Sequence, residues 1–272
     1  MILEKKNNLK LTRPRVIIDT DLSPKPKHPL PKSNGFCINI VGPAGTGKTS
    51  VMLSMVKSRD GYKKRFHNII TVIPASSLDS LAVNPFDKLD ASQKFDELDF
   101  ENLEEIIEQV EDSRAADELT LLLLDDCSAE LQDPILLKKM MRLYLNRRHL
   151  KLSIISISHS LTGKGALPYT IRKNCSHLLL FKPSSALDAL NVEYLNLPRK
   201  QFRQLTDYVF QKKHDHLFIE LHNNTMYKIF NTISFGQREE VWGLRRRQVK
   251  FSYWWRHYYI GFCVSPQGVV VR

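Results

Sequence analysis

The chain contains no apolar run long enough to cross a bilayer, no C-x-x-C pair and no internal repeat. A membrane-spanning helix needs about 20 predominantly apolar residues, so no span is expected. The opening residues MILEKKNNLK lack the apolar centre of a secretory signal, which points to a cytosol-like compartment. Four cysteines, Cys37, Cys127, Cys175 and Cys263, lie far apart. Their spacing excludes a zinc ribbon or a disulfide frame and leaves reduced, mostly buried thiols.

What is present suffices for a packed core. Apolar residues make up 42% of 272, the size of one α/β domain with extensions or of two small domains. The net charge of +11 is unevenly spread. Residues 1–35 hold eight Lys/Arg against three acids, and residues 236–272 hold seven against two. Residues 87–118 instead hold thirteen acids and three bases. Basic ends suit a polyanion such as nucleic acid, although Lys-rich termini also serve solubility. Three regions follow: a basic, Pro-rich arm (1–35), a body (36–235) carrying an acidic insertion (87–118), and a basic aromatic tail (236–272).

Four prolines in SPKPKHPLPK (residues 23–32) exclude a helix and predict an extended arm. Buried strands are expected over residues 36–41, 68–73, 119–124, 152–158 and 178–181, with helices over 134–148 and 199–211. Leu103, Ile106, Ile107 and Val110 recur at helical spacing after Phe100, with acids on the other face. Residues 217–221 and 226–230 read as a hairpin through Asn223-Asn224. The alternation predicts an α/β fold: a mostly parallel sheet, helices on both faces, and an antiparallel hairpin at one edge. In the tail, Trp254-Trp255-Arg256-His257-Tyr258-Tyr259 suits nucleic-acid contact and equally suits packing on the body.

Chemistry concentrates at GPAGTGKTS, which satisfies G-x-x-x-x-G-K-[ST] between an expected strand and an expected helix. Gly42, Pro43, Ala44, Gly45, Thr46, Gly47, Lys48, Thr49 and Ser50 are therefore the candidate triphosphate cradle. Backbone N–H groups at the positive helix end face the phosphates. Lys48 reaches the β/γ-phosphates and the Thr49 hydroxyl is a candidate Mg²⁺ ligand. ATP and Mg²⁺ are the cofactors this pattern calls for. About 75 residues on, an apolar run ends in Asp125-Asp126. Asp125 becomes the second candidate for Mg²⁺, and Asp126 the group that orients or deprotonates an attacking water. Arg147-Arg148 ends the next helix. Such a cation answers the helix dipole, or reaches a neighbouring subunit's nucleotide.

The order of these elements, with YLNRRHL (144–150), the strand 152–158, Ile171-Arg172-Lys173-Asn174-Cys175 and a strand ending Phe181-Lys182, resembles the FtsK/HerA superfamily of DNA-pumping ATPases. It is most similar to the genome-packaging ATPases of poxviruses and related large DNA viruses. The resemblance covers residues 36–230. It implies a RecA-like core that hydrolyses ATP, assembles as a ring, often a hexamer, and drives double-stranded DNA into a capsid. It also implies capsid or packaging-vertex partners, and action at a cytoplasmic assembly site or within the virion. Arg148 matches the trans-acting arginine finger, with Arg147 its competitor. His159 stands where relatives place a γ-phosphate-sensing Gln, so sensing there would become pH-dependent. Asp126 stands where many place Glu. Two other nucleotide-hydrolase readings, an AAA+ ATPase and a GTPase, fit less well. No helical lid with a second sensor arginine follows Phe181, as AAA+ enzymes require, and no Asn/Thr-Lys-x-Asp selects guanine. A nucleotide-gated DNA-binding module without turnover is the non-enzymatic alternative.

Overall fold

The computed structural model describes residues 21–78, 86–183 and 187–235. The aromatic tail, Cys263 and residues 1–20 of the arm lie outside them. The described strands form one nine-stranded sheet in the order β3-β2-β4-β5-β1-β6-β7-β8-β9. Their ranges are β1 Cys37–Val41, β2 Asn68–Val72, β3 Lys94–Phe95, β4 Thr120–Asp125, β5 Leu152–Ser158, β6 His177–Phe181, β7 His216–Glu220, β8 Thr225–Lys228 and β9 Asn231–Ile233. Strands β3 to β6 of that order pair in parallel, and β7 to β9 continue antiparallel. The expected mostly parallel sheet with an antiparallel edge is present.

The helices are α1 Lys48–Lys57, α2 Ala75–Leu78, α3 Phe100–Ala115, α4 Pro134–Asn146, α5 Tyr169–Asn174, α6 Leu187–Leu190 and α7 Arg199–Val209. Alternation along each strand sorts the core into two faces. Ile38, Ile40, Leu121, Leu123, Ile155 and Ile157 meet α1 through Met52, Met55 and Val56. On the other face Ile154, Leu122 and Leu124 meet α3 and α4 through Ile106, Val110, Met140 and Tyr144. There α7 covers β6 and β7 through Phe202, Leu205 and Val209. Local chemistry starts these helices where they are needed. Asp99 accepts from the Asn102 amide at 2.7 Å, and Asp133 accepts from Ile135 and Leu136 ahead of Pro134.

Three expectations shift. Residues 21–35 do not stand out as an extended arm, because they close back on the body. Leu22 is buried and its amide bonds Lys32 O at 2.8 Å, while buried Arg65 donates to the Pro24 and Arg59 carbonyls. The acidic segment 87–118 is part of the sheet layers: it supplies β3 and then α3, whose apolar stripe is core. Helix α4 stops at Asn146 rather than residue 148, and the Arg147 guanidinium that follows it donates to Gly35 O at 2.8 Å. Strands β3 and β9 carried too few apolar residues to be read in advance.

Buried His177 opens β6, stacked on Phe218 with ring centroids 5.4 Å apart. Burial lowers its pKa to about 4, against roughly 6.5 in an unfolded chain. As pH falls from 6.5 to 4, the unfolded state takes up this proton first, so the stabilisation is whole above 6.5 and drains toward 4. The loss amounts to about 3 kcal/mol for this group. The urea midpoint should therefore fall across that window, and fall less in His177→Phe, which keeps the stack. Parallel pH profiles for the two proteins would refute this origin.

Candidate active site

Strand β1 delivers the glycine-rich loop to the carboxyl edge of the sheet. The amide of Gly42 still pairs with Ser158 O at 3.2 Å, on the strand beside it. A methyl group on Gly42 would lie 2.7 Å from Phe181 Cβ and 3.0 Å from Thr46 Oγ1, so close packing demands glycine. Gly47 (φ 99°) precedes α1 in the left-handed region. The loop is tied internally: Thr46 Oγ1 donates to Pro43 O at 2.8 Å and Lys48 Nζ to the same carbonyl at 3.1 Å. Ala44, Gly45 and Ser50 are exposed.

The sheet register brings the acidic groups to this loop. Asp125 is the last residue of β4, opposite Ile157 of β5, and β5 lies directly beside β1, Val41 opposite Ser158. Thr49 Oγ1 donates to Asp125 Oδ2 at 3.2 Å. Burial raises the Asp125 carboxyl above its usual range, more than the Thr49 hydrogen bond and the Lys48 charge lower it. Burial also lowers the Lys48 ammonium, against the pull of Asp125 and Asp126. A hydroxyl and a carboxylate in contact are hard oxygen donors, and a carboxylate under-compensated by its protein neighbours favours a cation. Among the described residues no cluster of three metal-ligating side chains occurs. That donor set fits Mg²⁺, which takes one or two carboxylates together with phosphate oxygens and water.

Asp126 follows the strand with φ 58°, a left-handed conformation that Asp tolerates better than most residues. Strain of this kind, on the order of 1 kcal/mol, persists where surroundings enforce it. The Asp126 side chain meets His159, whose Nε2 lies 3.1 Å from Asp126 Oδ1. On its other side His159 Nδ1 is 3.4 Å from Lys48 Nζ. An ammonium can only donate, so Nδ1 accepts and the proton sits on Nε2, facing Asp126. His159 itself is held by its amide to Gly165 O at 3.0 Å, and Ser128 Oγ also donates to that carbonyl. One chain of contacts thus runs from Lys48 through His159 to Asp126.

Two predicted residues lie elsewhere. Arg147 is engaged with the Gly35 and Tyr144 carbonyls. Arg148 is exposed beside Gly35, where a Cβ would fall 2.7 Å from its Cγ. Both precede β5, at the amino edge of the sheet. The seven residues of β5, at about 3.3 Å each, put roughly 20 Å between them and the loop. One contact was not foreseen: His214 Nδ1 is 2.9 Å from Thr46 O. It sits in a Lys-Lys-His-Asp-His run that matches no motif.

The family model described as Poxvirus A32 protein matches residues 28–224, which span both the loop and the paired aspartates. The chain belongs to the poxvirus A32 protein family. This bears out the resemblance to poxvirus-type genome-packaging ATPases. No curated protein matches the chain. Among solved structures it is similar to the genome packaging NTPase B204 of Sulfolobus turreted icosahedral virus 2 in complex with ATP-gammaS. That match has 12% identity and a TM-score of 0.53, over 71% of this chain and 96% of that one. EssC ATPases 2 and 3 from Geobacillus thermodenitrificans match with 12% identity and a TM-score of 0.51, over 86% of this chain and 49% of that one. At such identity the likeness is one of fold, and the A32-family chain has the fold of P-loop ATPases.

Asp125→Asn should separate stability from chemistry in this family member. Removing an under-compensated buried charge should leave the melting temperature of the nucleotide-free protein unchanged or raised, while Mg²⁺-dependent turnover drops at least about a hundredfold. A clear fall in melting temperature with activity retained would contradict the assignment.

Proposed function

We propose that this protein is a Mg²⁺-dependent ATPase that works as a ring, a hexamer being the expected size, and drives double-stranded DNA into a capsid. One observation carries the reading. The loop, Thr49–Asp125 and Lys48–His159–Asp126 converge at one edge of the sheet, while exposed Arg148 stands at the opposite edge of the same chain. A chain that holds its cationic finger about 20 Å from its own triphosphate can use it only on a neighbour's. Membership of the A32 family and the fold shared with B204 support the packaging role. B204 from Sulfolobus turreted icosahedral virus is itself described as a DNA-packaging ATPase.

The residues divide the work of phosphoryl transfer. The loop amides and Lys48 bind and orient the β- and γ-phosphates. Asp126 orients the attacking water and accepts its proton, and His159 holds that carboxylate in place. Mg²⁺ bound at Thr49 and Asp125 would neutralise charge on the phosphate oxygens. Arg148 from the adjacent subunit stabilises charge on the transferring phosphoryl group. Exposed Arg199, Lys200 and Arg203 on α7, with Lys212 and Lys213, offer the described body a basic surface for a polyanion. Capsid or vertex proteins would be the assembly partners, at cytoplasmic assembly sites and in the virion. Among the described residues no helix is long and apolar enough to cross a membrane.

Turnover measured with and without duplex DNA over a protein concentration series tests the whole reading. DNA-stimulated, concentration-dependent hydrolysis is expected, and a rate per chain indifferent to both would refute the motor. Lys48→Ala should abolish hydrolysis. Arg148→Ala should lower it by about a hundredfold or more, and mixing it with Lys48→Ala should recover part of the activity. Full activity in Arg148→Ala alone would remove the finger.

A further inference from the structure

The phosphate loop has two flanks, and the groups assigned to hydrolysis occupy only one. Asp125, Asp126 and His159 all come from β4 and β5, so the γ-phosphate end of a bound triphosphate belongs on that side. The nucleoside must then lie away from it. On the opposite flank β6 ends and β7 begins beside the loop: Phe181 packs on Gly42, and the ring of His216 lies 5.2 Å from that of Phe181. The segment leading into β7 reaches the loop itself. His214 Nδ1 is 2.9 Å from Thr46 O and 3.5 Å from where a Cβ on Gly47 would sit.

We propose that His214 is the nucleoside-side wall of the nucleotide site, touching the ribose or base of a bound nucleoside triphosphate. The proposal rests on the triphosphate reading of the loop. A carbonyl oxygen only accepts, so Nδ1 donates to Thr46 and Nε2 is left to meet a ligand. The ring is exposed, yet its segment is fixed. The Lys212 amide donates to Asp215 Oδ2 at 2.9 Å, the Asp215 amide returns to Lys212 O at 3.1 Å, and buried Asp215 lies 3.7 Å from Lys228 Nζ. An accessible imidazole on a rigid support, docked to the cradle on its nucleoside flank, is preorganised for contact.

Calorimetric titration of the whole chain with ATP and with inorganic tripolyphosphate, both with Mg²⁺, tests this. Three variants are needed: His214→Ala, His214→Gln, which keeps a donor toward Thr46, and Lys48→Ala. ATP affinity should fall about tenfold in both His214 variants, while tripolyphosphate affinity stays within about twofold of the native value. Equal losses for both ligands in His214→Ala, restored by Gln, would reduce His214 to a loop support and overturn the proposal. Unchanged ATP affinity would overturn it as well. Failure of the triphosphate reading would look different: Lys48→Ala would bind both ligands as the native protein does.

Discussion

Strand β1 runs between β5 and β6, and the site depends on that placement. The chain leaves β1, builds β2, β3 and β4 on one side, returns to set β5 against β1, and then crosses to β6 on the far side. The carboxyl end of β1 is therefore a point from which neighbouring connections diverge, and a crevice opens there. Close packing keeps it narrow. Gly42 is pressed against Phe181 from β6 while bonded to Ser158 on β5. Any side chain at position 42 would push the loop away from both.

Into that crevice the fold places charges that it satisfies only in part. Lys48 is buried and lowered by burial, and Asp125 is buried and raised by burial. Direct pairing of the two would have been the cheaper arrangement for folding, but it would leave neither available to phosphate or cation. The protein instead spaces them, giving Asp125 to Thr49 and Lys48 to the Pro43 carbonyl and His159. Stability is surrendered at the place where ligand binding can return it.

The amino edge is organised differently. Arg147 fastens the end of α4 to Gly35, and Arg148 beside it is exposed. Two neighbouring arginines of equal sequence appeal thus differ in burial, Arg147 being half-buried and Arg148 exposed. The folded Pro-rich segment 21–35 borders the same edge, so its packing bears on how that surface is presented.

Much of this was legible in the residues alone. The loop motif fixes its own backbone, because three glycines and a Lys-Thr pair between a strand and a helix leave few conformations, and the apolar run before Asp125 marks a buried strand by composition. Helical spacing of apolar residues likewise announced α3, and helices were expected where α4 and α7 stand. Short elements escaped: β3 has two residues and β9 three, too few for any period to show. Pairings between distant segments escaped as well. That His159 would bridge Lys48 and Asp126, that Arg147 would bond Gly35 O, and that His214 would reach Thr46 are facts of strand order and register. By itself the sequence determined a triphosphate loop, its acidic partner strand and an α/β body, since each is written in contiguous residues. Only the tertiary structure decided which side chains meet across the loop's two flanks. Those contacts join residues far apart in the chain, 111 positions for Lys48 and His159 and 168 for Thr46 and His214, and they exist only once the sheet has closed around β1.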